Sequence, residues 1–279
     1  MTIATETTDK LLDQVLATFV NTADPRMHEI ATAAIKHVHA FVKEVNLTEQ
    51  EWMAGIEFFT AVGKACSDVR QEFILLSDIT GTSSLVEMLD YKGLPGSTEN
   101  TVLGPFYQGG SPRRKNGDSI IVSPDPGPKL HVSGTVRSLD GRPIAGATVD
   151  VWQTASNSLY AQQDPAQDPN NLRGIFTTDE NGHYDFITVR PVDYSVPTDG
   201  PVGVFLRASG RHPMRAAHTH FIVGAPGHYN VTTHLFDSES KYLDSDAVFG
   251  VRDSLILKFK DNGDGSLSTT FDITLTPAG

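Results

Sequence analysis

The chain has 279 residues, of which 39% are hydrophobic and 20% charged, with a formal net charge of -12 and a pI near 5.2. That length allows one large domain or two modest ones with a packed core, and the composition is that of a folded globular protein rather than a disordered one. The acidic balance argues against partners such as nucleic acid or an anionic lipid surface, whose phosphates it would repel.

Through about residue 100 the apolar residues recur with a helical period. Leu11, Leu12, Val15, Leu16, Phe19 and Val20 form one face of a first helix. Asp24 followed by Pro25 predicts an N-cap with proline in the first helical position, opening a second helix through Ile30, Ile35, Val38, Phe41 and Val42. Thr48 and Glu51 in "LTEQEW" predict a capping box and a third helix. A fourth helix is expected over about 67–80, and a short fifth over about 85–89. Cys66, the sole cysteine, can form no intrachain disulfide and no thiolate metal cluster, which fits a reducing cytoplasm. "MTIATETTDK" lacks a basic segment followed by an apolar run, and no apolar stretch approaches the roughly 20 residues of a membrane span. The expectation is therefore a cytoplasmic protein.

From about residue 101 the pattern changes to alternation punctuated by Gly, Pro, Asn and Asp. Leu130, Val132, Gly134 and Val136 alternate before a turn at Asp140-Gly141, and Ala147, Val149 and Val151 return. A hairpin turn is expected at Asn181-Gly182, followed by strands in "GVFLRASG", "AHTHFIVGAPG", "SLILKF" and "TTFDITLTP". The expected fold is α+β, with a helical region over 1–100 and an antiparallel β-sandwich over 101–279.

"RAAHTHF" places His218 and His220 two apart on one of these strands, where residues i and i+2 share a face. Two neutral imidazoles side by side can supply two donors to Zn, Cu, Fe or Ni, although a His-x-His pair on a hydrated face needs no metal. His37 and His39 have the same spacing on a helix, where they do not face each other and are read as ordinary helix residues. No carboxylate lies in the "RAAHTHF" strand, whereas Tyr160 and Tyr194 stand in unusual settings, "TASNSLYAQQD" and "RPVDYSVPTDGPVG". Phenolate is a hard oxygen donor that a trivalent iron would favour.

Taken in order, "LGPFY", "SGTVRSLDGRPIAGATVDVWQ", "SLY", "YSVPTDGPVG" and "RAAHTHF" resemble the intradiol ring-cleaving dioxygenases, and the helical first hundred residues are similar to that family's N-terminal dimerisation region. The chain departs from the common pattern at Ala216, where relatives often carry proline. The resemblance implies one Fe(III) per subunit, held by Tyr160, Tyr194, His218 and His220. It also implies an aromatic diol as substrate, with dioxygen, and a homodimer that in some members binds an amphipathic lipid at its interface. Tyr194 is expected to leave the metal when substrate chelates and to serve as a base, and Arg215 to stabilise negative charge on the ring. His234 in "TTHLFD" is expected to contact substrate or an intermediate.

Within the family, "EFILLSDITG" and "KYLDSDAVFGVRDSL" resemble the branch that cleaves hydroxyquinol, benzene-1,2,4-triol. Asp78, sharing a helix face with Leu75, is expected to accept a hydrogen bond from the third hydroxyl. Val102, Leu103, Gly104, Pro105, Phe106, Val196, Pro197 and Val248 are expected to complete an apolar pocket wall. The implied product is 3-hydroxy-cis,cis-muconate, the enol form of maleylacetate. Two alternatives stand beside it: a catechol or chlorocatechol 1,2-dioxygenase, and a metal-free module, since "SGTVRSLDGRPIAGATVDVW" also resembles transthyretin-like domains.

Overall fold

A computed structural model describes residues 3–68 and 70–279. The chain divides into two compact units, residues 1–60 and 61–279. The first contains α1 (Ile3–Ala17), α2 (Pro25–Glu44) and the start of α3 (Glu49–Lys64). Local capping sets these boundaries as the sequence predicts. Asp24 accepts hydrogen bonds from the Arg26 and Met27 amides at 2.8 and 3.3 Å, with Pro25 in the first helical position. Thr48 and Glu51 exchange backbone-to-side-chain bonds of 2.9 and 3.3 Å, which closes the capping box. His37 and His39 lie on α2, exposed and half-buried respectively.

The second unit begins with the end of α3, followed by α4 (Glu72–Ile79) and α5 (Thr82–Asp90). The fourth helix starts later than the expected residue 67, because Ser67 and Arg70 form a tight turn with reciprocal backbone bonds. The Arg70 side chain is then committed to Glu72 and Asp199.

Twelve short strands follow among the described residues. One sheet is built on β1 (Lys129–Ser138), which pairs antiparallel with β4 (His183–Val189) and parallel with β11 (Leu267–Thr270) and β12 (Ile273–Leu275); β10 (Lys260–Asp261) extends it. "TTFDITLTP" is thus two strands, broken at Phe271–Asp272 opposite Gly134. A Cβ on Gly134 would lie 2.0 Å from the Phe271 carbonyl oxygen, so only glycine admits the chain there. The other sheet runs β3 (Arg173–Thr177), β2 (Thr148–Trp152), β7 (His218–Gly224), β8 (Val231–Asp237) and β9 (Ile256–Leu257). A two-stranded ribbon joins β5 (Tyr194–Ser195) to β6 (Met214–Arg215).

"GVFLRASG" is not a strand. It lies in α6 (Pro201–Ala208), with Gly200 at the N-cap and Pro201 at the first position. The buried Glu72 accepts from the Val202 amide at 3.1 Å, placing a carboxylate on the positive end of the helix dipole. Val202 and Leu206, one turn apart, form the buried stripe that an alternating pattern cannot supply.

The core lies between the sheets. Val132, Val136 and Phe186 from the first sheet pack with Val149, Val151, Phe176, Phe221 and Val223 from the second. Gln153, just beyond β2, joins the two sheets through polar contacts inside this dry region. Its carbonyl oxygen accepts from the Thr188 and Thr219 hydroxyls at 2.9 Å each, and its amide donates to the Val189 carbonyl at 3.0 Å. Replacing Gln153 by Leu leaves three buried groups unpaired, and should lower unfolding free energy by about 3 kcal/mol, read from urea titration monitored by far-UV circular dichroism.

Candidate metal centre

Strand alternation decides which side chains meet. On β7, Phe221 and Val223 enter the core between the sheets, so His218, His220 and Ile222 point to the opposite face. On β2 the same alternation turns Trp152 outward, and on β8 it turns His234 outward. The register pairs Trp152 with His220 and His220 with His234, which sets three rings side by side across three strands. Segments from elsewhere then cover this face: Tyr160 before a single 3-10 turn (Ala161–Gln163), Tyr194 on β5, and the loop carrying Leu103, Phe106 and Tyr107.

The two tyrosines and the histidine pair converge. Tyr160 Oη lies 2.8 Å from Tyr194 Oη and 2.8 Å from His220 Nε2. Tyr194 Oη is 3.4 Å from His218 Nε2, and the two Nε2 atoms are 3.1 Å apart. Donors bound at about 2 Å to one metal sit about 2.8 Å apart at right angles and about 3.3 Å apart at the tetrahedral angle. The observed edges match that spacing. His218, His220 and His234 also bring ring nitrogens within 4.8 Å of one another, giving a buried cluster of three histidines suited to a mononuclear metal. His234 differs from the other two in orientation: its ring is stacked at 25° on His218, with centroids 4.5 Å apart. Nearly parallel rings direct their lone pairs along parallel planes, which disfavours one shared ion.

Burial sets the protonation of the cluster. Desolvation first, and then Arg215 and the neighbouring histidines, hold His218, His220 and His234 well below the ordinary imidazole value, so all three are neutral. Desolvation raises Tyr160 well above its ordinary value, with Tyr194 adding to it. It also raises Tyr194, but Arg215 opposes the rise.

Arg215 is buried at the rim. One of its Nη atoms lies 3.1 Å from both Tyr194 Oη and His218 Nε2, and its Nε donates to Asp246 at 3.2 Å. Burial works against its charge, but Tyr194, Asp246 and Tyr160 outweigh that and hold it above its ordinary value. Asp246, which in turn accepts from the Gly250 amide at 2.8 Å, was not marked by the sequence reading. Asp193 was also missed: its carboxylate accepts from the Ala217 amide at 3.0 Å and the Ser240 hydroxyl at 2.5 Å, locking the Tyr194 segment to the start of β7. Trp152, stacked on His220, is the third such residue.

The expected pocket residues fall into groups. Leu103 and Phe106 pack on the Tyr160 and Tyr194 rings, and Gly104 lies against His220. Val102 and His234 are both buried, with the His234 ring within reach of the Val102 backbone. Pro105 sits between Gly104 and Phe106, while Val196 and Pro197 continue β5 beyond Tyr194. Val248 is buried two residues past Asp246. Leu75 and Asp78 are buried on α4. The crevice behind Phe106, Trp152 and Tyr160 holds only about 10 Å³, too little for an aromatic ring.

Two family models match the chain, one described as "Dioxygenase" over residues 102–277 and one as "Catechol dioxygenase N terminus" over 24–97. The chain is 43% identical to a 6-chlorohydroxyquinol 1,2-dioxygenase of Cupriavidus pinatubonensis, covering 96% of each. It matches the crystal structure of a hydroxyquinol 1,2-dioxygenase from Pseudomonas putida DLL-E4 with a TM-score of 0.90 and 42% identity, over 98% of this chain and 100% of that one. The catechol 1,2-dioxygenase of Pseudomonas arvilla C-1 matches with a TM-score of 0.83 and 28% identity, over 96% and 91%.

Asp78 supplies a pH test. Desolvation raises its carboxyl from the ordinary 3.8 to about 6, while Ser83 and Arg215 pull the other way. The folded state therefore binds the proton more tightly than the unfolded chain. The Asp78 contribution is complete below pH 4 and is lost as pH rises through 6. Relative to Asp78→Asn, the parent protein should lose roughly 2 kcal/mol of stability between pH 4 and pH 7, measured by denaturant titration at each pH.

Proposed function

This chain belongs to the intradiol ring-cleavage dioxygenases, and we propose that within that family it cleaves hydroxyquinol to 3-hydroxy-cis,cis-muconate, the enol form of maleylacetate. It is an enzyme that opens a catechol- or hydroxyquinol-like ring at a non-haem metal centre. The observation that carries the choice of triol is Asp78: a buried carboxylate, in the field of Arg215, with neither oxygen in hydrogen-bonding geometry to a donor. Such a group is unfavourable unless a ligand pairs with it, and the third hydroxyl of hydroxyquinol is a donor of the required kind. Identities of 43% and 44% to relatives named for hydroxyquinols, against 38% and 28% to catechol 1,2-dioxygenases, weigh the same way.

The reading assigns one Fe(III) per chain to Tyr160, Tyr194, His218 and His220. Edges of 2.8 to 3.4 Å between their donor atoms, two hard phenol oxygens and neutral imidazoles support it. A ferric ion held by these four residues would supply Lewis acidity, favouring the ionised form of the phenols and of a substrate diol.

The chain's own groups do the rest. Tyr194 keeps Arg215 as a partner at 3.1 Å, so its oxygen stays anchored where, as phenolate, it would take a proton from a substrate hydroxyl. Arg215, held by Asp246 and buried, presents a fixed positive charge to the ring as it gains electron density. His234, neutral and with both ring nitrogens lacking a partner of good geometry, contacts substrate or intermediate. Leu75, Val102, Leu103, Gly104, Pro105, Phe106, Val196, Pro197 and Val248 form an apolar wall that orients a flat ring and excludes water.

The protein is further read as a cytoplasmic homodimer. Leu11, Met27, Ile30, Val38, Phe41, Trp52 and Phe59 on α1 to α3 are exposed apolar residues of the kind that a partner subunit, or a lipid at such an interface, would cover. No helix among the described residues is long and apolar enough to cross a membrane.

Iron-loaded protein should be wine-red from phenolate-to-iron charge transfer and should turn over hydroxyquinol more efficiently than catechol. Asp78→Ala should cost about tenfold in kcat/KM for the triol while changing catechol turnover by less than about threefold. Faster turnover of catechol than of the triol by the parent would instead favour a catechol or chlorocatechol dioxygenase.

A further inference from the structure

The two donor histidines of β7 are held in different ways. His218 Nδ1 donates to the Ala216 carbonyl at 2.6 Å, which fixes both its tautomer and the rotation of its ring. His220 Nδ1 is buried and has no hydrogen-bond partner. Its polar contact is at the other nitrogen, where the Tyr160 hydroxyl lies 2.8 Å from Nε2, so no hydrogen bond behind the ring fixes its rotation as the Ala216 carbonyl fixes that of His218.

The structure assigns that role to Trp152, as a positioning residue that orients His220 through its indole face; this rests on the reading that His220 is a metal donor. The indole and imidazole are nearly parallel, 8° apart, with centroids separated by 4.6 Å. They are directly opposite on paired strands, so the backbone itself holds the stack in register. Indole Nε1 is buried and unpartnered, which leaves the flat face as what this side chain contributes.

The remaining sides of His220 are closed as well. His234 meets it edge-on at 85° with centroids 4.2 Å apart. Gly104, at a φ of +80°, lies where an added Cβ would be 3.4 Å from His220 Cε1. Tyr107 packs on Trp152 with rings tilted by 53° and centroids 4.8 Å apart, and its hydroxyl donates to Asp150 on the same strand as Trp152. Rotation of the imidazole would drive it into the indole. Packing thus replaces the hydrogen bond that His218 has, and it does so without the electron-donating effect of a carbonyl, so the two imidazoles are unequal donors.

The test compares the ferric protein with Trp152→Phe and Trp152→Leu, reading the visible charge-transfer band, the rate of iron loss to excess chelator and the far-UV circular dichroism. Phe keeps a flat face and should hold the band position and the loss rate within about twofold; Leu should shift the band and speed iron loss about tenfold with unchanged circular dichroism. A Leu variant with the parent's band and loss rate overturns the assignment. If that variant does not fold, Trp52→Phe leaves Trp152 as the sole indole, and Cu(II), which imidazoles bind, should quench more than half of its emission. Quenching of less than a tenth overturns the stack. A colourless parent counts against the ferric reading, and the Cu(II) measurement then decides the role of Trp152 independently.

Discussion

Two phenol oxygens and two imidazole nitrogens are crowded to 2.8 to 3.4 Å in a region closed to water, and the rest of the structure follows from that crowding. Burial keeps the imidazoles neutral and the phenols reluctant to ionise, so each phenol keeps a proton that it can share with a neighbouring donor atom. Lone pairs at such distances repel unless protons or a cation lie between them. Arg215 contacts Tyr194 and His218 from the side. In the proposed ferric site the cation would take the place of those phenol protons, and its field would reverse the direction in which burial pushes the phenols.

Keeping four donors in place requires that each come from an element with little freedom. The histidines sit on the middle strand of a five-stranded sheet, paired on both sides. Gln153 ties this strand, through Thr219 between the two histidines, to the opposite sheet. Tyr194 is carried on a two-residue ribbon, too short to be rigid alone, and Asp193 anchors it to the start of β7. Arg215 is held by Asp246, whose loop closes back through Gly250. These anchors are charged or amide groups with nearly all their partners inside the protein, and the cost of displacing one is the exposure of several unpaired groups.

What could be read in advance was what is local. Asp24-Pro25 and the Thr48/Glu51 box act within four residues, and both appear as expected. The shared face of His218 and His220 follows from the two-residue period of a strand, and the roughly 3.6-residue period of a helix explains why His37 and His39 do not pair. "GVFLRASG" was misjudged because its apolar residues suit either period; Gly200-Pro201 was the signal, and Glu72, far away in sequence, supplies the charge at its N-terminus. Asp193, Asp246 and Trp152 carry no spacing pattern of their own. Their roles come from contacts with Ala217, Arg215 and His220, which exist only once separate segments meet.

The most direct test is the position of the metal, by anomalous scattering at the iron edge from crystals of the iron-loaded protein. The account predicts a single peak about 2 Å from Tyr160 Oη, Tyr194 Oη, His218 Nε2 and His220 Nε2. A peak bonded to His218, His220 and His234, with either phenol oxygen beyond bonding distance, would contradict it.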